Sequence, residues 1–281
     1  MSHRLPNFLH LGPSKTGSTW LHEVLIGHPE IYFTGAKDLY FFSRCYDRGL
    51  NWYGTQFRDA RPEHKIVGEF SPEYLACPKA PERILDCLGP DVRLMVTLRE
   101  PAARTFSSYL YLNRHQLVAA TFRDAVRSSP TLMDQSCYAT HLRNYLRLFD
   151  RQALYVAIFD DLEADPQAFL DEVTRWLGVD RYVLSPEQFA AQLPASSARW
   201  PPLAVAAKRA SDWARRHDGA DFVGQVKRSA MVQRMLYKPL GPGGPAMSPE
   251  DVAFVREQLA AEVAGVEEEF GIPLRQRWGW T

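Results

Sequence analysis

The chain has 281 residues, of which 46% are hydrophobic and 23% charged, a composition that fits a packed globule and excludes a disordered or fibrous chain. Lysine plus arginine and aspartate plus glutamate number 33 each, so net charge gives no reason to expect a nucleic acid or an anionic membrane as partner, and any anion binding must be local. The length admits one large α/β domain or two small ones.

The opening MSHRLPNFLHLGPSKTG has no signal-peptide core, and no run of about 20 apolar residues occurs in the chain. The expectation is a cytoplasmic protein without an integral membrane segment. Residues 7–11, NFLHL, predict a short buried strand, followed by a loop of small residues and a helix from Trp20 to Gly27. Further apolar, β-branched runs stand at KIVGEF (65–70), VRLMVTL (92–98) and ALYVAIF (153–159), with helical patterns at Pro81 to Leu88 and Ala102 to Asn113 between them. This alternation predicts an α/β fold, a mainly parallel sheet with helices on both faces. From about Asp165 the strand signals stop and helices are expected at Pro166 to Leu177, Leu203 to His217, Phe222 to Leu236 and Pro249 to Phe270. LYKPLGPGGPAMSP reads as a loop too short for a domain linker, and no repeat or charge block divides the chain, so a single domain over 1–281 is expected. Cys45, Cys77, Cys87 and Cys137 lack metal-ligand spacing and a CxxC motif, which predicts reduced thiols and no zinc site.

The chemistry concentrates in two stretches. GPSKTGSTW (12–20) joins the first strand to the first helix, where backbone amides and the positive end of the helix dipole converge on an anion. Gly12 and Gly17 permit close backbone approach, Ser18 and Thr19 offer hydroxyls, and Lys15 adds a mobile positive charge. A Walker A loop would carry its lysine after the second glycine, whereas here it comes two residues before. An ATP-dependent small-molecule kinase and a nucleotide-binding module without turnover stay open as alternatives, as does a plain helix-capping turn. The second stretch, VRLMVTLREPAARTFSSYLY, places Arg99 after a buried strand and Ser107 in the following helix, which Pro101 starts. Arg99 can grip a phosphate with two parallel N–H bonds, and Ser107 can add a hydroxyl.

Lys15-Thr16-Gly17-Ser18-Thr19-Trp20 resembles the 5′-phosphosulfate loop of the sulfotransferases that use 3′-phosphoadenosine 5′-phosphosulfate (PAPS), and Arg99-Glu100-Pro101 with Ser107 resembles their 3′-phosphate motif. GEFSPEYL (68–75), IFDDLEADPQAFLDEVTRWLG (158–178) and the C-terminal helix ending near Trp278 extend the likeness over nearly the whole chain. It is closest to the bacterial single-domain type and to heparan sulfate N- and 3-O-sulfotransferase domains. The resemblance implies a P-loop-like three-layer α/β/α fold with a helical C-terminal part. It also implies PAPS as donor with 3′,5′-adenosine bisphosphate (PAP) as product, and an acceptor that is a small molecule, lipid or glycan. Lys15 is then expected on the phosphosulfate bridge, Thr16, Gly17, Ser18 and Thr19 around the 5′-phosphate, Trp20 against the adenine, and Arg99 and Ser107 on the 3′-phosphate. Arg104 is a lesser, structural candidate.

Asp160 and Asp161 follow a strand as a Walker B pair would, but they read better as an acidic helix start, and no metal is expected. GAKDLYFFSRCYDRGLNWY resembles the family's Glu-x-x-Phe-Phe stretch with Asp38 at the glutamate position, which makes Asp38 the candidate general base, with Lys37 beside it to steer the acceptor or serve nothing. Phe70 stands where glycan-acting members often carry lysine, implying one positive charge fewer in the acceptor cleft. Tyr40, Phe41, Phe42, Trp52, Tyr53 and Tyr74 are candidates to line an apolar acceptor pocket, with a core role as the alternative. His10, His22, His28 and His115 read as helix or strand residues. Lys227-Arg228, or Lys238 beside GPGG, are the candidates for a basic loop over the nucleotide.

Overall fold

The computed structural model describes residues 4–34, 37–115, 117–119, 121–190, 196–198, 237–239 and 245–280. The chain divides into two compact units, Met1–Leu98 with Asn144–Leu193 and Arg99–Arg143 with Pro194–Thr281.

The first unit is built on five parallel strands: β1 (Phe8–Gly12), β2 (Ile31–Phe33), β3 (Ile66–Phe70), β4 (Arg93–Leu98) and β5 (Leu154–Ile158), in the order β2-β3-β1-β4-β5. Parallel pairing requires crossovers, and these are supplied by α1 (Ser18–Leu25), α2 (Gly49–Thr55) and α3 (Ala80–Leu88) among others. Every residue of β1 and β3 is buried, the signature of a sheet covered on both faces. On one face, Phe8, Phe33, Phe70, Met95 and Ala157 pack against Trp20, Leu21, Val24 and Leu25 of α1. Phe169, Leu170, Val173 and Leu177 complete that layer. They come from the later of two helices, α8 (Phe159–Ala164) and α9 (Pro166–Leu177), that lead on to the short α10 (Pro186–Ala190). Helix α9 has the expected limits because its ends are written in the sequence: the Asp165 carboxylate accepts from the amides of Gln167 and Ala168, both at 3.0 Å, and Gly178 closes it at φ 71°. The order of strands reverses direction at β1, with β2 and β3 to one side and β4 to the other, which makes the C-terminal end of β1 the position where open α/β sheets bind ligands.

The second unit is mainly helical. It contains α4 (Pro101–Arg114), α5 (Phe122–Ser128), α6 (Thr131–Asp134), the start of α7 (Tyr138–Leu146), α11 (Pro249–Phe270) and α12 (Leu274–Arg277). Ala102, Tyr109, Phe122, Ala125, Leu132, Val255 and Leu259 form its core. The Glu100 carboxylate caps α4 by accepting from the Ala103 amide at 2.6 Å, and it also accepts from Arg256 Nε at 3.0 Å and Trp280 Nε1 at 3.1 Å. One acid therefore ties α11 and the C-terminal tail to the start of α4.

Strands do not stop at Asp165 as expected: β6 (Ser196–Ala198) and β7 (Tyr237–Pro239) pair antiparallel. Three-residue strands reading SSA and YKP carry no apolar alternation, so the pattern that finds longer strands passes over them. The expected helices at 203–217 and 222–236 lie outside the described residues. Among the described residues no helix is long and apolar enough to cross a membrane, and the four cysteines are free thiols.

Candidate active site

The loop after β1 is shaped by residues that accept unusual backbone. Gly12, at φ 106°, lies so close to the next segment that a Cβ there would stand 2.4 Å from the Pro72 carbonyl oxygen. Lys15 at φ 72° and Gly17 at φ 81° both take the left-handed region on either side of Thr16. For a lysine this costs about 1–2 kcal/mol, a strain that surrounding structure must impose. Gly17 is irreplaceable for a second reason: its Cβ would meet Leu162 Cδ2 of α8 at 2.6 Å. Thr16 is buried and donates its hydroxyl to the Pro13 carbonyl at 2.9 Å, which fixes the turn and commits that hydroxyl to the loop itself. Ser18 and Thr19 open α1, whose first four amides have no partner within the helix.

Across these hydroxyls lies a residue whose role the sequence did not reveal. Lys37 Nζ donates to Ser18 Oγ at 3.1 Å and Thr19 Oγ1 at 2.8 Å, so the segment that carries Asp38 is joined directly to the start of α1. Each hydroxyl, having accepted from the ammonium, keeps an O–H to donate. The same charge reaches the floor of the loop. His10 is wholly buried, with Nδ1 accepting from the Gly12 amide at 3.2 Å and Nε2 lying 3.0 Å from Thr97 Oγ1. Because Nδ1 accepts, the proton sits on Nε2. Burial first, and Lys37 next, hold the His10 pKa down at about 3, so the ring is neutral.

Asp38 itself is half-buried at φ 68°, its amide bonded to the Phe70 carbonyl at 2.8 Å. Tyr40, at φ 55°, is a second left-handed residue, and its amide donates to Ser71 Oγ at 3.0 Å. Beneath this segment Glu69 is fully buried and accepts three hydroxyls, from Tyr53 at 2.8 Å, Tyr74 at 2.6 Å and Ser71 at 2.8 Å. Burial pushes its carboxyl up to about 7, the three hydroxyl donors hold that rise back, and the Asp38 charge adds to it. A buried, fully hydrogen-bonded glutamate is not written in the motif GEFSPEYL, since nothing local distinguishes it from an exposed strand-end acid.

Several expected lining residues turn out to be core. Phe41, Phe42, Tyr53 and Tyr74 are all buried, while Tyr40 and Trp52 keep partial exposure. Phe70 is also buried, stacked on His10 with ring centroids 4.7 Å apart, so it does not open onto a cleft. Trp20 is a core residue too: its ring meets Phe169 edge to face and its indole N–H donates to the Gln188 carbonyl at 3.0 Å. These contacts anchor α1. Asp160 and Asp161 occupy the first turn of α8, as an acidic helix start should.

In the second unit, Arg99 follows the last residue of β4, is half-buried, and accepts the Tyr138 hydroxyl on its carbonyl at 2.7 Å. Ser107, half-buried, sits on α4 nearly two turns past its start. Arg104 is structural: completely buried, it donates to Ser136 Oγ, the Leu132 carbonyl and Thr105 Oγ1, and burial lowers its pKa. Of the candidate basic residues late in the chain, Lys227 and Arg228 lie outside the described residues, and only the backbone of Lys238 is described, in β7.

Residues 5–193 match the family model described as a sulfotransferase domain. Human heparan sulfate glucosamine 3-O-sulfotransferase 3B1 is 34% identical over 195 residues, which is 65% of this chain and 48% of that protein. Human bifunctional heparan sulfate N-deacetylase/N-sulfotransferase 3 is 30% identical over 197 residues, 63% of this chain and 22% of that protein. The chain thus spans about half the length, or less, of these curated relatives. Among solved structures, a sulfotransferase from Alicyclobacillus acidocaldarius shares the fold, with a TM-score of 0.59 at 22% identity over 82% of this chain and 99% of that one. On the extent of the family match, covering the sheet and the loop after β1 together, the chain belongs to the sulfotransferase domain family.

Proposed function

We propose that this protein transfers a sulfuryl group from PAPS to a hydroxyl or amine of a small-molecule, lipid or carbohydrate acceptor, with residues 1–281 working as one sulfotransferase domain. The observation that carries the proposal is the loop after β1, where Lys15 is held in a left-handed conformation between Gly12 and Gly17 and Lys37 lies across the Ser18 and Thr19 hydroxyls. Two ammonium groups, two hydroxyls and the amides of a helix start suit a group that leaves as a phosphate.

In this reading Asp38 removes the proton of the acceptor hydroxyl as its oxygen attacks sulfur. The bond from sulfur to the 5′-phosphate oxygen breaks, the electron pair departs on that oxygen, and PAP is left. Lys15 meets the growing negative charge at the bridging oxygen. Lys37, Ser18 and Thr19 hold the 5′-phosphate with Thr16 and Gly17 of the loop around it, and Trp20, whose packing anchors α1, is assigned against the adenine. Arg99 and Ser107 are assigned to the 3′-phosphate, with Arg99 following the strand β4 that pairs with β1. With the cofactor's charge met by side chains and helix amides, the proposal needs no metal.

A thermal-shift titration tests it against an ATP-dependent kinase. PAP without metal is expected to stabilise the protein by several degrees at saturation, and more than AMP or ATP with magnesium does. Arg99→Ala should lose the margin of PAP over AMP while AMP binding persists. Stabilisation by ATP with magnesium and none by PAP would reject the proposal, and an unchanged margin in Arg99→Ala would reject the 3′-phosphate assignment.

A further inference from the structure

Glu69 takes no part in the chemistry above, yet it is a fully buried acid with three hydroxyls pointed at it. What those hydroxyls do with their remaining capacity is informative. The Ser71 hydroxyl gives its only proton to Glu69 Oε2 at 2.8 Å and turns a lone pair to the Tyr40 amide at 3.0 Å. The Tyr74 hydroxyl gives its proton to Glu69 Oε1 at 2.6 Å and turns a lone pair to the Phe42 amide at 3.3 Å. Together with the bond from the Asp38 amide to the Phe70 carbonyl, every second residue from 38 to 42 is pinned through its backbone.

This segment needs pinning. Asp38 and Tyr40 both sit in the left-handed region, at φ 68° and 55°, where a residue with a side chain stays only if its surroundings over-determine it. A hydroxyl has a single proton, so committing that proton to a carboxylate leaves only acceptor capacity for the amide. Glu69 accepts at both oxygens and donates at neither when ionised, which orients the Ser71 and Tyr74 oxygens towards the backbone. The carboxylate thus acts two bonds away from the segment it holds.

We propose that Glu69 is the positioning residue of the catalytic base: through Ser71 and Tyr74 it holds the 38–42 backbone in the strained conformation that presents the Asp38 carboxylate. The inference rests on the reading of Asp38 as general base. Ser71 and Tyr74 are the two arms of the device, and their effect on rate runs through Asp38 alone.

A double-mutant cycle separates this role from ordinary structural support. The assay is single-turnover decay of sulfur-labelled PAPS with water as acceptor, on full-length protein, with PAP affinity measured in parallel. Ser71→Ala, which keeps the core packed, is expected to slow turnover about tenfold or more, because small misplacement of a base is costly, while PAP affinity stays within about twofold. Glu69→Gln, which puts a donor where Ser71 needs an acceptor, should do the same. In the Asp38→Asn background neither substitution should slow turnover further. Should Glu69→Gln fail to fold, Ser71→Ala and Tyr74→Phe complete the cycle. Effects that multiply with Asp38→Asn, or Ser71→Ala and Tyr74→Phe turning over at the normal rate, overturn the positioning role while leaving the base in place. Undiminished turnover by Asp38→Asn alone overturns both.

Discussion

Replacing Lys15 with alanine is expected to lower PAPS turnover by about two to three orders of magnitude, the usual loss when a preorganised donor to developing charge is removed. The backbone sharpens the test. Lys15 holds φ 72°, so alanine inherits the strain and the melting temperature should hardly move. Lys15→Gly removes the same charge but relieves the strain by about 1 kcal/mol, so it is expected to be as inactive as Lys15→Ala and slightly more stable. Activity and stability then move in opposite directions at one position. Turnover that survives in both variants would show that the loop binds without the lysine's charge.

Asp38→Asn is expected to cost about two to four orders of magnitude in turnover, with PAP affinity unchanged. Asparagine keeps the size of the side chain and, like aspartate, tolerates the left-handed region, so φ 68° persists and only the capacity to take a proton is lost. The same preference gives a reason for aspartate at a position where the resemblance leads one to expect glutamate. Short polar side chains occupy this backbone region far more readily than long ones. A fully active Asp38→Asn would remove the base assignment and leave the proposed nucleotide site untouched.

The parts of the fold that could be read from the sequence are those whose physics is local. Helix α11 spans Pro249–Phe270 as expected, because Ser248 caps it, Pro249 starts it and Gly271 ends it at φ 68°. The four longer strands were legible as apolar runs, whereas β2 is three residues, IYF, and too short to declare a period. The loop after β1 was legible as a candidate anion site because its glycines, lysine and hydroxyls lie within one short stretch, residues 12–19. Lys37 was not: its two hydroxyl partners lie 18 and 19 residues earlier, and only the folded crossover brings them within 3.1 Å. Glu69 was hidden in another way, since its partners Ser71 and Tyr74 are sequence neighbours but its complete burial depends on Tyr53 and the packing of Phe42. The burial of Phe70 was hidden likewise, since its stacking on His10 joins two strands far apart in sequence.

In the proposed site the loop after β1 holds the 5′-phosphate end of the nucleotide. A crystal of the protein soaked with PAP tests it most directly: difference density for the 5′-phosphate is expected over the amides of residues 14–19, within hydrogen-bond distance of Lys15 Nζ and the Ser18 and Thr19 hydroxyls. Density for an ordered PAP molecule elsewhere, with this loop empty, would contradict the account.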